Sequence, residues 1–185
     1  MKILLKTKIR KIGQIPPRLE QIILIRHADS EDRAKFAQIC SNDLERPLSK
    51  KGKAQSKKIA DFLTSMHKKS PISLIISSPA KRTRQTIKPF LKHFNGAHKE
   101  SKAIAPDCTI KGYESAIEGA KAKDCKILAL VGHQLDLGDF VEYATGVKQH
   151  LDFKKGVIVE IAKKAGARQI KGGFIITLLI TPDYL

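Results

Sequence analysis

Five short apolar runs, built largely from β-branched residues and leucine, punctuate the sequence at positions 21–25, 72–76, 126–131, 156–162 and 174–180. Each is continuous rather than alternating, the pattern of a strand covered on both faces, and each is short for a buried helix. Strands of this kind need helices above and below their sheet. The intervening sequence provides them. Ile59, Phe62, Leu63 and Met66 recur at i, i+3, i+4 and i+7, with Ser49 upstream as an N-cap. Leu137, Phe140, Val141 and Ala144 repeat that spacing, and Gly146 stands where a helix stops. Ser78-Pro79 reads as an N-cap followed by proline at the first helical position, opening a helix through Leu91 that Pro89 kinks or ends. The expected fold is therefore α/β: a three-layer sandwich with a mixed, mostly parallel central sheet and helices on both faces. A Lys/Gly/Ala loop alone joins the last two runs, which are expected to be antiparallel neighbours.

The 185 residues suit one domain, and no stretch approaches the roughly 18 consecutive apolar residues of a membrane span. Cys40, Cys108 and Cys125 are odd in number and lack CxxC spacing, which argues against a disulfide framework or zinc site. Scattered thiols suit a soluble, cytoplasmic protein. Residues 1–19 form a basic extension in which Lys2, Lys6, Lys8, Arg10, Lys11 and Arg18 are accompanied by no acid. It lacks the apolar core of a signal peptide and the serines of a transit peptide. Pro16-Pro17 separates it from the first run, so the folded domain is expected over 20–185. The extension is compatible with a disordered arm, an added edge strand, or a helix with Leu5, Ile9 and Ile12 on one side. It supplies six charges of a net +17 that attracts nucleic acid, acidic protein, anionic lipid or small phosphorylated molecules without choosing among them.

Three runs end alike. Arg26-His27 follows the first, Ser77 to Arg82 the second, and Gly132-His133 the third. In open α/β sheets ligands bind beyond the carboxyl ends of the strands. Taken singly, each piece has an ordinary reading: a solvated Arg-His loop, a Ser-Pro cap, a solvated helix face at Lys81, Arg82 and Arg84. Taken together, they bring two histidines and two arginines to one end of the sheet. A phosphoryl group in transfer carries negative charge on its oxygens and is stabilised by fixed cations. A neutral imidazole can attack phosphorus while arginine forks hold the oxygens, giving a phosphohistidine that water cleaves. Such chemistry calls for no metal and no cofactor.

These residues resemble the motifs of the histidine phosphatase superfamily, or phosphoglycerate mutase-like family, and within it the small SixA-type phosphohistidine phosphatases. The resemblance begins at about Gln21 and takes in Ile25-Arg26-His27-Ala28, Arg46-Pro47-Leu48-Ser49 and Lys51-Gly52. It continues through Ser77-Ser78-Pro79-Ala80-Lys81-Arg82, Gln85-Thr86, Val131-Gly132-His133 and Thr181-Pro182. It implies a phosphoglycerate mutase-like catalytic domain over 20–185. His27 would be the nucleophile, with Arg26, Arg82 and His133 around the phosphate. Arg46-Pro47-Leu48 would be a turn with an architectural role. Three departures stand out. Asp29 replaces the lysine of Arg-His-Ala-Lys-Ser, placing a carboxylate beside the pocket that either repels substrate or supplies a proton. Gly132-His133-Gln134-Leu135 replaces Gly-His-Asn-Pro, and the basic extension has no counterpart in compact members. Asp107, after Pro106, is the other candidate proton donor. His67, His93, His98 and His150 belong to no motif and are assigned to the surface or to helix faces.

The prediction is a phosphatase that forms a phosphohistidine on His27 and acts on phosphohistidine in a protein. The alternatives are a phosphatase of a small phosphorylated metabolite and a protein that binds phosphate or polyanions without turnover. A mutase is disfavoured, because the insertions that give larger members a carboxylic acid and a substrate pocket have little room here. Nucleic acid is disfavoured as partner, since no zinc finger or RNP-type run is present and only 5% of residues are aromatic.

Overall fold

Strand β1 (Gln21–Arg26) lies inside a six-stranded sheet in the computed structural model of the protein, which describes residues 13–120, 125–148, 151 and 153–185. The other strands are β2 (Leu74–Ser77), β3 (Ala97–Glu100), β4 (Ile127–Gly132), β5 (Ile158–Lys163) and β6 (Phe174–Ile180), in the order β3-β2-β4-β1-β5-β6. β1 to β4 run parallel, while β5 is antiparallel to both β1 and β6. The sheet is thus mixed and mostly parallel, with the last two strands paired as the short loop implies.

Successive strand residues point to opposite faces, and both faces are covered. Ile22 and Leu24 face a core completed by Tyr113 and Ile117 of α4 (Ile110–Gly119) and Phe140 and Val141 of α5 (Asp136–Thr145). Ile23 and Ile25 face the opposite core, with Ile59 and Leu63 of α2 (Lys50–Met66) and Ile87 and Phe90 of α3 (Lys81–Leu91). This two-sided burial is why the runs of β1, β2 and β4 do not alternate; β6 departs from the expectation, an edge strand whose Ile175, Ile176 and Leu179 are exposed. Each fully buried aliphatic contributes about 1.5–3 kcal/mol by leaving water.

Helix boundaries follow the capping residues in two cases out of three. The Ser49 hydroxyl accepts from Gly52 N at 3.1 Å and starts α2, and Gly146, at φ 78°, ends α5. Ser78 does not cap α3: the N-cap position is Ala80, and the Ser78 hydroxyl turns instead to His133. Pro89 lies inside α3, which continues to Leu91. Met66 fails the amphipathic pattern because α2 ends there, leaving it 52% exposed. The short helix α1 (Arg33–Ala37) and the polar edge strand β3 carry no periodic apolar signal strong enough to announce them, whereas α4 sets Ile110, Tyr113 and Ile117 at i, i+3 and i+7.

His67 is a correction to the surface assignment. It is buried, with Nε2 3.0 Å from Glu160 Oε1, and the other Glu160 oxygen accepts from Gln21 Nε2 at 2.7 Å. His98 is half-buried, 3.0 Å from the Ser77 hydroxyl, and His93 is exposed. His150 and residues 1–12, with the three readings of the extension, lie outside the described residues. Residues 13–19 pack on the domain: Ile15 and Leu19 are buried, Ile15 N donates to Arg168 O at 3.0 Å, and Ile170 N donates to Gly13 O at 2.8 Å. Among the described residues no helix is long and apolar enough to cross a membrane.

Candidate active site

The order β2-β4-β1 sets three carboxyl strand ends side by side. Arg26 pairs in register with Gly132, so the residues one step further on meet: the His27 and His133 rings are 5.2 Å apart between centroids. Arg82 enters from the first turn of α3, which follows β2. These four residues line a cavity of about 210 Å³ together with Arg33, Arg46, Lys155, Asp43 and Asp107. The lining holds five cations against two carboxylates, a surplus suited to a multiply charged anion.

His27 is 6% exposed, and its Nδ1 lies 2.8 Å from the carbonyl oxygen of Ala28. A carbonyl only accepts, so Nδ1 carries the ring hydrogen and Nε2 keeps the lone pair. Burial above all holds the ring down at a pKa of about 3; the Ala28 bond opposes this, and the charges of Arg82, Arg26 and Arg46 reinforce it. The ring is neutral at neutral pH. Its loop is fastened from two helices: Ala28 N donates to Thr86 Oγ1 of α3 at 2.9 Å, and Asp29 N to Gln55 Oε1 of α2 at 2.8 Å. At the start of α2, a Cβ on Gly52 would stand 1.7 Å from the Asp29 carbonyl oxygen, so only glycine permits this approach.

His133 is anchored differently. Its Nε2 lies 2.8 Å from Ser78 Oγ, which itself accepts from Ala80 N at 3.3 Å. A hydrogen donated by the Ser78 hydroxyl to Nε2 goes with a ring hydrogen on Nδ1, and one accepted from Nε2 goes with a lone pair there. That buried Nδ1 and the buried Nε of Arg82 have no hydrogen-bond partner among the described residues. Burial, then the neighbouring His27 and the charges of Arg82, Arg26 and Arg46, push His133 down to about 2. Two adjacent neutral imidazoles therefore stand among guanidinium groups, and the one on His27 keeps its Nε2 lone pair.

Asp43 aligns the arginines. Arg82 Nη1 donates to the Asp43 carbonyl at 2.8 Å and lies 3.1 Å from Asp43 Oδ2, while Arg46 Nε reaches Asp43 Oδ1 at 2.7 Å. Burial works against ionisation at Asp43, but the Arg46 hydrogen bond and the charges of Arg82, Arg46 and Arg33 outweigh it and hold the carboxyl below its usual range. Arg46 Nη1 also donates to Ser30 Oγ at 2.6 Å and to the Glu31 carbonyl at 2.8 Å. Arg26 Nη1 donates to the Phe153 carbonyl.

Arg46 was expected to be architectural; it is architectural and lines the cavity as well. Asp43, three residues earlier, was the unread signal, an i, i+3 pair that fixes a guanidinium. Asp29 is not among the cavity-lining residues. Its carboxylate turns away, accepting from Ser49 Oγ at 2.5 Å and from Lys155 Nζ at 2.8 Å. Burial raises its pKa, but the bonds from Lys155 and Ser49 and the charges of Lys155 and Lys51 prevail and keep it ionised. Asp107 does line the cavity; it is exposed and holds a left-handed backbone, φ 62°.

Comparison with known proteins agrees with this geometry. The family model described as the histidine phosphatase superfamily, branch 1, matches residues 22–105. An uncharacterized protein of Picosynechococcus sp. is 31% identical over 168 residues, which cover 89% of this chain and 98% of the relative. An uncharacterized, chloroplastic protein of Arabidopsis thaliana is 25% identical over 88% of this chain and 78% of its own. Among solved structures, the protein histidine phosphatase SixA complexed with tungstate superposes with a TM-score of 0.72 at 17% identity, covering 89% of this chain and 98% of the other. A phosphoserine phosphatase mutant from Entamoeba histolytica, in complex with phosphoserine, gives 0.63 at 11% identity over 89% and 98%. The fold is thus the phosphoglycerate mutase-like sandwich expected from the sequence. Through the family model and the 31% identical relative, the chain belongs to the histidine phosphatase superfamily and is a phosphatase of that superfamily.

Proposed function

We propose that the protein hydrolyses phosphohistidine carried by another protein, through a phosphoryl intermediate on His27. The state of His27 carries this reading: a neutral ring whose Nδ1 hydrogen is committed to Ala28, leaving the Nε2 lone pair among Arg26, Arg82 and His133. In the first step Nε2 attacks the phosphorus of a substrate ring that solvent has protonated on its distal nitrogen, the P–N bond breaks, and that ring departs with the electron pair as neutral imidazole. In the second, water attacks the phosphorylated His27, releases inorganic phosphate and returns the electron pair to Nε2. Arg26 and Arg82 hold the transferring oxygens, and His133 donates to them from Nδ1.

The leaving group favours nitrogen over oxygen. Expelling an alkoxide-like oxygen needs a positioned acid, whereas imidazole, with a free pKa of about 6.5, leaves without one. Asp29 is held ionised by Ser49 and Lys155 and has no proton to give. The cavity of about 210 Å³ is also smaller than the roughly 300–1,000 Å³ of typical small-molecule pockets. It suits a phosphoryl group presented on a protein surface better than an enclosed metabolite. The free thiols of Cys40, Cys108 and Cys125 fit a cytoplasmic setting.

The deciding experiment compares kcat/KM for a phosphohistidine peptide, phosphoramidate and a simple alkyl phosphate, in the wild type and in Asp107→Asn and Asp29→Asn variants. A missing general acid costs about 10²–10⁴-fold, so the alkyl phosphate is expected to lag by at least about that lower figure. Efficient alkyl phosphate cleavage that collapses in Asp107→Asn would replace this reading with a metabolite phosphatase using Asp107 as acid. Tight phosphate binding with no turnover of any substrate would make the protein a binder.

A further inference from the structure

Outside the catalytic cavity, α2 and α3 border a cleft of about 250 Å³ floored by Leu48 and Pro89. Four lysines edge it: Lys53 and Lys57 from α2, Lys88 from α3, and Lys92 just past the end of α3. All four are exposed, and none forms an ion pair among the described residues. Each helix thereby sets two lysines four residues apart, a like-charge spacing that weakens a helix. α3 contains no acidic residue, and α2 contains only Asp61, which pairs with none of the four. Nearer the catalytic cavity the arrangement is different, since Lys81 and Arg84 share Glu45 at 3.6 and 3.9 Å. The apolar faces of both helices are already spent on the sheet. Packing therefore gives no reason for four unneutralised charges around one cleft.

The cleft and the cavity share a frame. Leu48 N donates to Gln85 Oε1 at 2.7 Å, joining the two walls of the cleft. Leu48 also closes the turn that begins with the cavity residue Arg46. Along α3, Lys88 stands about 9 Å and Lys92 about 15 Å beyond Arg82 at the helical rise per residue. An extended chain covers about 3.3 Å per residue, so side chains about three to five residues from a residue held in the cavity reach the lysines.

We propose that this cleft docks an acidic segment of the phosphorylated protein, next in sequence or in space to the phosphorylated residue. The proposal rests on the phosphoprotein reading of the His27 cavity. Charge complementarity selects carboxylates, and the Leu48 and Pro89 floor accepts their aliphatic stems. Among the described residues no aromatic side chain lines the cleft to stack on bases, which sets nucleic acid aside.

The test uses the full chain and fluorescent histidine peptides flanked by four Asp/Glu residues or by the matching Asn/Gln residues, in unphosphorylated and phosphohistidine forms. The unphosphorylated acidic peptide is expected to bind the wild type in anisotropy titrations, and its binding should fade as salt rises. Binding should weaken at least about tenfold in a Lys53→Gln/Lys57→Gln/Lys88→Gln/Lys92→Gln variant, which loses every charge of the cleft. Phosphoramidate turnover and melting temperature should hold in that variant, because these exposed residues serve neither the cavity nor the core. Equal affinity of the acidic peptide for wild type and variant would overturn the docking site, as would equal kcat/KM for the two phosphopeptides. A single-stranded DNA that outbinds the acidic peptide and is likewise lost in the variant would overturn the choice of occupant. Binding needs no turnover, so acidic-peptide binding by a wild type that cleaves no phosphohistidine would sink the phosphatase reading and leave the dock standing.

Discussion

The loops that follow β1 and β4 begin alike, each placing a histidine one residue past a paired strand end, yet the two rings are held by different groups. Both are buried and both are kept neutral by burial and nearby arginines. His27 gives its Nδ1 hydrogen to a carbonyl of its own loop, and that loop is pinned by α2 and α3. His133 instead leans on a serine from the loop after β2, and its other ring nitrogen has no partner among the described residues. Residue type, burial and charge are shared. What separates a nucleophile from a donor here is the group that meets the other ring nitrogen.

The strongest way to break this comparison is to remove the proposed nucleophile. His27→Ala should lower phosphoramidate and phosphohistidine turnover by about 10⁴-fold or more and abolish the alkali-stable radiolabel on the protein. Label found on His133 in the wild type would exchange the two roles. Removing the donor should do less: His133→Ala and Arg82→Ala are each expected to cost about 10²–10³-fold in kcat, and wild-type rates in both would show that the strand ends do not act together. Ser78→Ala sharpens the point, since it leaves His133 in place but frees its tautomer. A loss of about tenfold, the worth of one hydrogen bond, is expected in kcat with KM little changed.

A pH series tests the neutral state of both rings. A histidine whose folded pKa is depressed cannot take the proton that the unfolded chain binds near pH 6.5. Its contribution to stability is complete above that pH and is lost as pH falls toward about 3 for His27 and about 2 for His133. Melting temperature should therefore decline between pH 6.5 and 4, more shallowly in the two alanine variants, and kcat/KM should show no limb from His27 above pH 4. Titration of the His27 ring near pH 6.5 in the wild type, followed by NMR, would refute the buried neutral ring. The smallest effect is expected at Asp29→Asn, where a half-exposed ion pair is worth about 0.5–1 kcal/mol. Turnover of phosphoramidate should stay within about twofold because no proton comes from Asp29.

Much of this architecture was legible along the chain because it depends on period and on strand ends. Continuous runs at β1 and β4 announced two-sided burial, and the spacing of Leu137, Phe140, Val141 and Ala144 announced α5. The residues placed at three strand ends do share one cavity. What was not legible is where polar side chains turn. Asp29 sits beside His27 in sequence, yet it is claimed by Lys155, 126 positions away, and no local spacing encodes that pair. Ser78 carried a capping signal and was taken instead by His133, because a buried imidazole binds a hydroxyl that a helix end can do without. β3 was invisible for a simpler reason: an exposed, four-residue edge strand of sequence AHKE needs no apolar pattern.

The contact between Gly52 and the Asp29 carbonyl couples catalysis to the end of a helix. α2 is the longest helix among the described residues, and its first turn, like any helix end, lacks intrahelical partners on one side. That turn holds Asp29 through Ser49 and Gly52, and Asp29 adjoins the loop that aims His27. Warming that loosens the helix end lets the nucleophile swing before either core is disturbed. Thermal inactivation should therefore precede global unfolding, and the temperature gap between the two measures how tightly Gly52 is seated.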